Sequence, residues 1–334
     1  MTRARTPSAS GRVLRLAGAI AAGLAALIVI LLLLPPPGAS GIRSHPDPAR
    51  GFTEALRGAA KIEARDTRGV NPECRTRLMT HGVRTRDALV LIHGLTNCPR
   101  QFETLAARFH ARGWNVLVAR IPHHGLADRM TEDLGQLDAI ELARFTDELI
   151  DVAAGLGERV TIAGLSLGGV AAAWAGQERP DVHRAVAIAP MFGVAHVPRT
   201  FTGLLARALL AIPDRFVWWD SKARERLEGP RQVYPRFSTR AIGEILRLGF
   251  AVQARASRDR PAATTLSVVS VGGDPAVDNG ASAAIVARWK RSGARVDTYE
   301  FPRALGLDHD LIDPEQVGAR IDLVYPELER IIAP

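Results

Sequence analysis

Ser166 stands between paired glycines in the run Gly164-Leu165-Ser166-Leu167-Gly168, and its surroundings suggest covalent chemistry. A serine hydroxyl is a poor nucleophile at neutral pH. It becomes useful only beside a base, with a carboxylate to orient that base and N–H donors to receive an oxyanion. The pattern G-x-S-x-G suits this chemistry when it forms a sharp turn from a strand into a helix. Here an apolar run at residues 160–163 precedes it and a small-residue helical pattern follows, through Gly169 to residue 173. Such a turn forces the serine into a strained backbone conformation. The positions two before and two after must then lack bulk, and Gly164 and Gly168 meet that demand.

The partners are sought at the ends of other predicted strands. His309, in Leu307-Asp308-His309-Asp310, is the only histidine after His196, and we assign it as the base. Asp274 follows the apolar run 266–271 on a Gly272-Gly273 turn and is assigned to orient His309. Asp278 is the rival, but it precedes Asn279-Gly280 and a helical run at 281–291, where helix capping accounts for it. The backbone N–H groups of Leu95 and Leu167 are the expected oxyanion donors: Leu95 follows the run 88–92 in His93-Gly94-Leu95-Thr96, and Leu167 follows the nucleophile. His93 is read as holding its loop by hydrogen bonds. His123 and His124 cannot both face one metal from a helix and have no completing carboxylate pattern, so they are read as loop structure or a pocket-rim contact. No metal and no organic cofactor is expected.

Positioning these residues requires a large core. The chain has 334 residues, 47% of them hydrophobic, which suits one large α/β domain carrying an insertion. Predicted strands cover 88–92, 114–121, 160–163, 184–189, 266–271 and 295–301, with an edge strand at 78–81. Predicted helices cover 52–64, 99–112, 137–156, 204–212, 242–254, 281–291 and 314–332. In the helix over 137–156, Asp138, Glu141, Asp147, Glu148 and Asp151 are read as a solvated face. The stretch 191–261 is too long for a loop and reads as a helical cap with Trp and Tyr toward the strand ends. The division is therefore 1–37 tail and anchor, 38–86 linker and N-terminal extension, 87–190 first part of the core, 191–261 cap, and 262–334 second part of the core.

The net charge of +8 comes almost wholly from arginine, since Lys61, Lys222 and Lys290 are the only lysines. No basic cluster is interleaved with aromatics, so nucleic acid is not an expected partner. Residues 16–34 are an unbroken apolar and glycine stretch after Arg3, Arg5, Arg12 and Arg15. At 1.5 Å per residue they reach about 28 Å, enough to cross a bilayer core. This favours a transmembrane anchor over a cleaved signal, with the N-terminus in the cytoplasm and the globular part exported; a cleaved signal would make it secreted. In that compartment Cys74 and Cys98 are either a disulfide or two reduced thiols.

The sequence resembles the α/β-hydrolase superfamily, and within it capped serine hydrolases such as monoacylglycerol lipases and bacterial carboxylesterases. The likeness rests on HGLT at 93–96, GLSLGG at 164–169, GGDPAV at 272–277 and LDHD at 307–310. It implies a mostly parallel sheet flanked by helices, a helical cap, and ester hydrolysis through Ser166, His309 and Asp274 on a small-molecule or lipid ester. Thioester or peptide cleavage, or acyl transfer, would use the same site. A membrane-tethered interaction module with a silent site is the alternative of another class.

Overall fold

The computed structural model describes residues 13, 15–24, 26, 36–220 and 230–334. The apolar runs become strands β1 (Arg77–Met79), β2 (Thr85–Ile92), β3 (Asn115–Ala119), β4 (Gly157–Leu165), β5 (Val182–Ile188), β6 (Phe216–Trp218), β7 (Arg236–Ser238), β8 (Thr265–Val271) and β9 (Val296–Phe301). Seven of them form one sheet in the order β1-β3-β2-β4-β5-β8-β9. All neighbours run parallel except β1 against β3 at the edge. The inner strands are buried on both faces, which is why they read as continuous apolar runs rather than alternating ones. Because parallel strands end on the same side, the loops after β2, β4, β8 and β9 gather on one rim.

The connecting helices are α1 (Phe52–Glu63), α2 (Glu103–Ala111), α3 (Ala139–Leu156), α4 (Leu167–Glu178), α5 (Thr202–Ala211), α6 (Thr239–Ala256), α7 (Asn279–Arg291) and α8 (Ile321–Ile332). Helix α4 is buried from Leu167 to Gln177, as befits a helix apolar all round. The N-terminal extension docks on the main domain through α1, which packs on α3. A side chain at Gly155 would collide there with the Gly51 carbonyl and Ala55. Cys74 and Cys98 form a disulfide, with their Cα atoms 5.2 Å apart. Both are fully buried beside Val70 and Leu126, so the bond ties the extension to the loop after β2.

Several expectations are corrected. Helix α6 packs against α4 and α5 and buries Ile245, Leu248 and Val252. It thus packs on the helix that follows the nucleophile strand as well as on its neighbour in the insertion. The antiparallel pair β6–β7 makes the rest of the insertion less helical than expected. The C-terminal helix starts at Ile321, not Pro314, because the Asp313 carboxylate takes the Glu315 N–H and Gly318 has a left-handed φ of 76°. Of the anchor expected at 16–34, residues 25 and 27–34 lie outside the described residues. Residues 15–24 are helical, with Leu16, Ile20 and Leu24 more than half exposed. Among the described residues no helix is long and apolar enough to cross a membrane.

The acidic face expected on α3 is not wholly solvated. Asp138 caps the helix by accepting the Ile140 and Glu141 N–H groups. Asp147 is buried and, with Asp151, holds the fully buried Arg179 guanidinium at 3.0 and 2.6 Å; Asp181 adds a third pair at 2.7 Å. Asp147 also accepts the Ser44 hydroxyl and the His45 N–H. Helix spacing puts both acids on one edge, but their counter-charge lies far along the chain, beyond the reach of a local pattern. Arg179→Met is expected to cost about 3–5 kcal/mol, since the carboxylates would stay in place without their partner. Arg330→Met, at an exposed pair with Glu327, should cost less than about 1 kcal/mol. Urea denaturation measures both, and equal losses would contradict this account.

Candidate active site

Ser166 sits between β4 and α4 with φ 57° and ψ −109°, a conformation that L-residues rarely adopt. Its backbone is held on both sides: Ser166 N–H donates to the Ile188 carbonyl at 2.9 Å, and its own carbonyl accepts from Val170 and Met191. A Cβ on Gly164 would strike the Gly168 backbone, and one on Gly168 would strike the Ile92 carbonyl. The glycines are thus demanded by close backbone approach. Leu167 opens α4, so its N–H has no acceptor within the helix.

Asp274 follows β8 on the turn made by Gly272 and Gly273, the latter with φ 80°. Its Oδ1 accepts the Ala276 and Val277 N–H groups at 2.8 and 3.1 Å, and its Oδ2 lies 2.9 Å from His309 Nδ1. An ionised carboxylate only accepts, so Nδ1 carries the proton and Nε2 is left with its lone pair. His309 Nε2 is buried and has no hydrogen-bond partner among the described residues. Ser166 and His309 line one cavity of about 540 Å³. No hydrogen bond joins the two side chains among the described residues; such bonds often close only around substrate. The rival Asp278 caps α7, accepting the Gly280 N–H at 2.8 Å.

Leu95 lines the same cavity, in a loop clamped from several directions. Gln101 Oε1 accepts the Gly94 N–H at 2.8 Å. Thr96, with φ 68°, donates its hydroxyl to the Leu95 carbonyl, accepts Trp219 Nε1–H at 2.9 Å, and takes the Tyr234 N–H on its carbonyl at 2.8 Å. Asn97 Nδ2 donates to Asp310 at 3.0 Å and Asp313 at 3.2 Å, joining this loop to the one that carries His309. Sequence reasoning missed Thr96, Asn97 and Trp219, whose partners are more than a hundred residues away.

His93, His123 and His124 are held in structural contacts. His93 accepts the Ile121 N–H on Nε2 at 3.1 Å and donates from Nδ1 to the Gly94 carbonyl, and burial holds its pKa well below the ordinary value. His124 is buried, bonds to the Pro122 carbonyl, and is driven by burial to a pKa of about 3. His123, with φ 67°, lies between Glu141 at 3.0 Å and Asp133 at 3.2 Å, and Glu141 above all raises its pKa. Neither His123 nor His124 lines the Ser166 cavity, so the rim contact is not observed. Among the described residues no His, Cys, Asp and Glu group could hold a metal ion.

Residues 83–312 match the family model described as serine aminopeptidase, S33. No curated protein matches the chain. Among solved structures, the chain is similar to one described with LipS and LipT, two metagenome-derived lipolytic enzymes: identity 17%, TM-score 0.58, covering 79% of this chain and 98% of that one. It is also similar to the monoacylglycerol lipase of Paleococcus ferrophilus: 19% identity, TM-score 0.56, covering 77% and 98%. A soluble variant of the Saccharomyces cerevisiae monoglyceride lipase gives 16% identity and a TM-score of 0.54, covering 78% and 91%. At these identities the likeness shows the fold, the α/β-hydrolase architecture of a mostly parallel sheet between helices.

The two buried histidines contribute a loss of stability on acidification, opposed in part by His123, whose raised pKa adds stability as pH falls. Below pH 6.5 the unfolded chain takes up protons that folded His93 and His124 refuse, so their stabilisation is complete above 6.5 and lost as pH falls toward the depressed folded values. Each limb approaches about 1.4 kcal/mol per pH unit. Denaturation between pH 7.5 and 5 should show this loss, and His124→Asn should flatten its slope. An unchanged slope would refute the assignment.

Proposed function

This chain belongs to the serine aminopeptidase S33 family, and from that footing we propose that it is a serine hydrolase that cleaves carboxylic esters through a Ser166, His309 and Asp274 triad. The observation that carries the reading is a base already oriented. His309 Nδ1 is tied to Asp274, while its free Nε2 is buried and without a partner in the cavity that holds Ser166.

His309 Nε2 takes the Ser166 proton as Oγ attacks the ester carbonyl, and Asp274 stabilises the imidazolium that results. The N–H groups of Leu95 and Leu167 receive the oxyanion, and those donors act where water is scarce. Protonated His309 then hands its proton to the departing alcohol. Water, deprotonated by the same imidazole, attacks the acyl-enzyme and releases the acid. The cavity wall of Trp219, Val233, Tyr234, Pro235, Pro275 and Ala276 offers apolar surface to a small ester, in keeping with the lipolytic proteins that share the fold. The family's description makes peptide bonds the second reading, with the same nucleophile.

The enzyme is exported and held at the membrane by residues 16–34. This is supported by the arginines that precede the stretch and by the Cys74–Cys98 bond, of a kind that persists in oxidising compartments. Ser166→Ala should keep the fold and lose at least about 10³-fold in 4-nitrophenyl butyrate turnover. Assay of membranes after alkaline extraction measures this, with activity retained in the membrane fraction. Alanine 4-nitroanilide, run alongside, tests the peptide reading. A Ser166→Ala variant as active as the parent would end the proposal, and release of activity into the wash would end the anchor.

A further inference from the structure

Among its described lining residues, the cavity that holds Ser166 and His309 has one arginine or lysine, Arg129. Arg129 lies in the segment between β3 and α3 and reaches the cap, where its Nε donates to the Val233 carbonyl at 2.8 Å. The neighbouring Tyr234 is fixed in turn, its hydroxyl accepting the Leu126 N–H. The guanidinium therefore has a set orientation against the cap wall. Apart from that bond, it has no hydrogen-bond partner and no carboxylate within ion-pair distance among the described residues.

The most deeply buried arginines differ: Arg120 is paired with Asp66, Arg179 with three aspartates, and Arg247 with Glu244. Arg288 on α7, part-buried and also without a carboxylate partner among the described residues, lies outside this cavity. Partial burial depresses the Arg129 pKa, and no carboxylate offsets the effect. A guanidinium half removed from water without a counter-charge is costly, and its planar fork is shaped for a carboxylate or phosphate. The carboxylates of the His309 loop that line the cavity are engaged there: Asp308 accepts the His309 N–H, and Asp310 accepts from Asn97 and Gln316. The third cavity acid, Asp220, follows Trp219 on the cap.

We infer that Arg129 forms a subsite for an anionic group, a carboxylate or a phosphate, carried by the ester that Ser166 cleaves. The substrate class is then an anionic ester rather than a neutral glyceride. This rests on the esterase reading above and deepens it.

The test compares mono(4-nitrophenyl) adipate with 4-nitrophenyl hexanoate, which share a leaving group and chain length and differ in the terminal carboxylate. For the full-length protein, the ratio of kcat/KM for the anionic over the neutral ester should fall about tenfold or more in Arg129→Met, chiefly through KM, and be partly kept in Arg129→Lys. Inhibition of hexanoate hydrolysis by adipate and by glycerol 3-phosphate distinguishes the two sources of negative charge. A ratio equal in parent, Met and Lys forms would overturn the inference. If neither ester is turned over, the esterase reading fails separately. The inference is then read from labelling of Ser166 by a fluorophosphonate: protection by either anion in the parent and not in Arg129→Met supports it, and no protection in the parent overturns it.

Discussion

The close backbone contact between β4 and α4 is the constraint on which the rest of the structure depends. Strand β4 and helix α4 meet at Gly164, where a Cβ would strike the Gly168 backbone, and at Gly168 the helix abuts the end of β2, where a Cβ would strike the Ile92 carbonyl. That proximity permits Ser166 its φ of 57°, a conformation costing of the order of 1–3 kcal/mol. The strain is tolerated because bonds to Ile188, Val170 and Met191 fix the Ser166 backbone from both sides, and because α4 is enclosed for nearly its whole length. A bulkier residue at either glycine would push the helix off the sheet and lower the serine from the rim.

Around that point, the parallel sheet brings together residues that are remote in sequence. The β2 loop supplies Leu95, the β8 turn supplies Asp274, and the chain beyond β9 supplies His309. Each loop is restrained by something other than its own sequence. Asn97 fastens the first loop to the His309 loop, Trp219 and Tyr234 fasten it to the cap, and Cys98 fastens it to the N-terminal extension. Under the proposed mechanism the Leu95 N–H would receive an oxyanion, and donors of that kind act by being fixed in advance, which is what these restraints would provide. The cap closes the same space with aromatic surface, and the segment between β3 and α3 adds the Arg129 cation, so the cavity is more polar than a purely greasy slot.

Much of this was legible in the sequence because it depends on local pattern. Inner strands announced themselves as apolar runs, Ser166 by its paired glycines, and Asp274 and Asp278 were told apart because one follows a Gly-Gly turn and the other precedes a helix, where it does cap α7. What escaped has a common physical cause. Asp147 and Asp151 looked solvated because Arg179, their counter-charge, lies beyond the helix. Periodicity showed that α6 has an apolar face and said nothing of what covers it, which includes α4 and α5. The pairing of Cys74 with Cys98 and the reach of Asn97 are likewise long-range facts.

The most direct test of the central claim, that Ser166 is made reactive by His309, is the rate at which a fluorophosphonate labels the protein, with the modified residue located by peptide mass. The account predicts one rapid adduct, on Ser166, slowed at least about a hundredfold in His309→Ala. An adduct on another serine, or a Ser166 adduct forming equally fast without the imidazole, would contradict it.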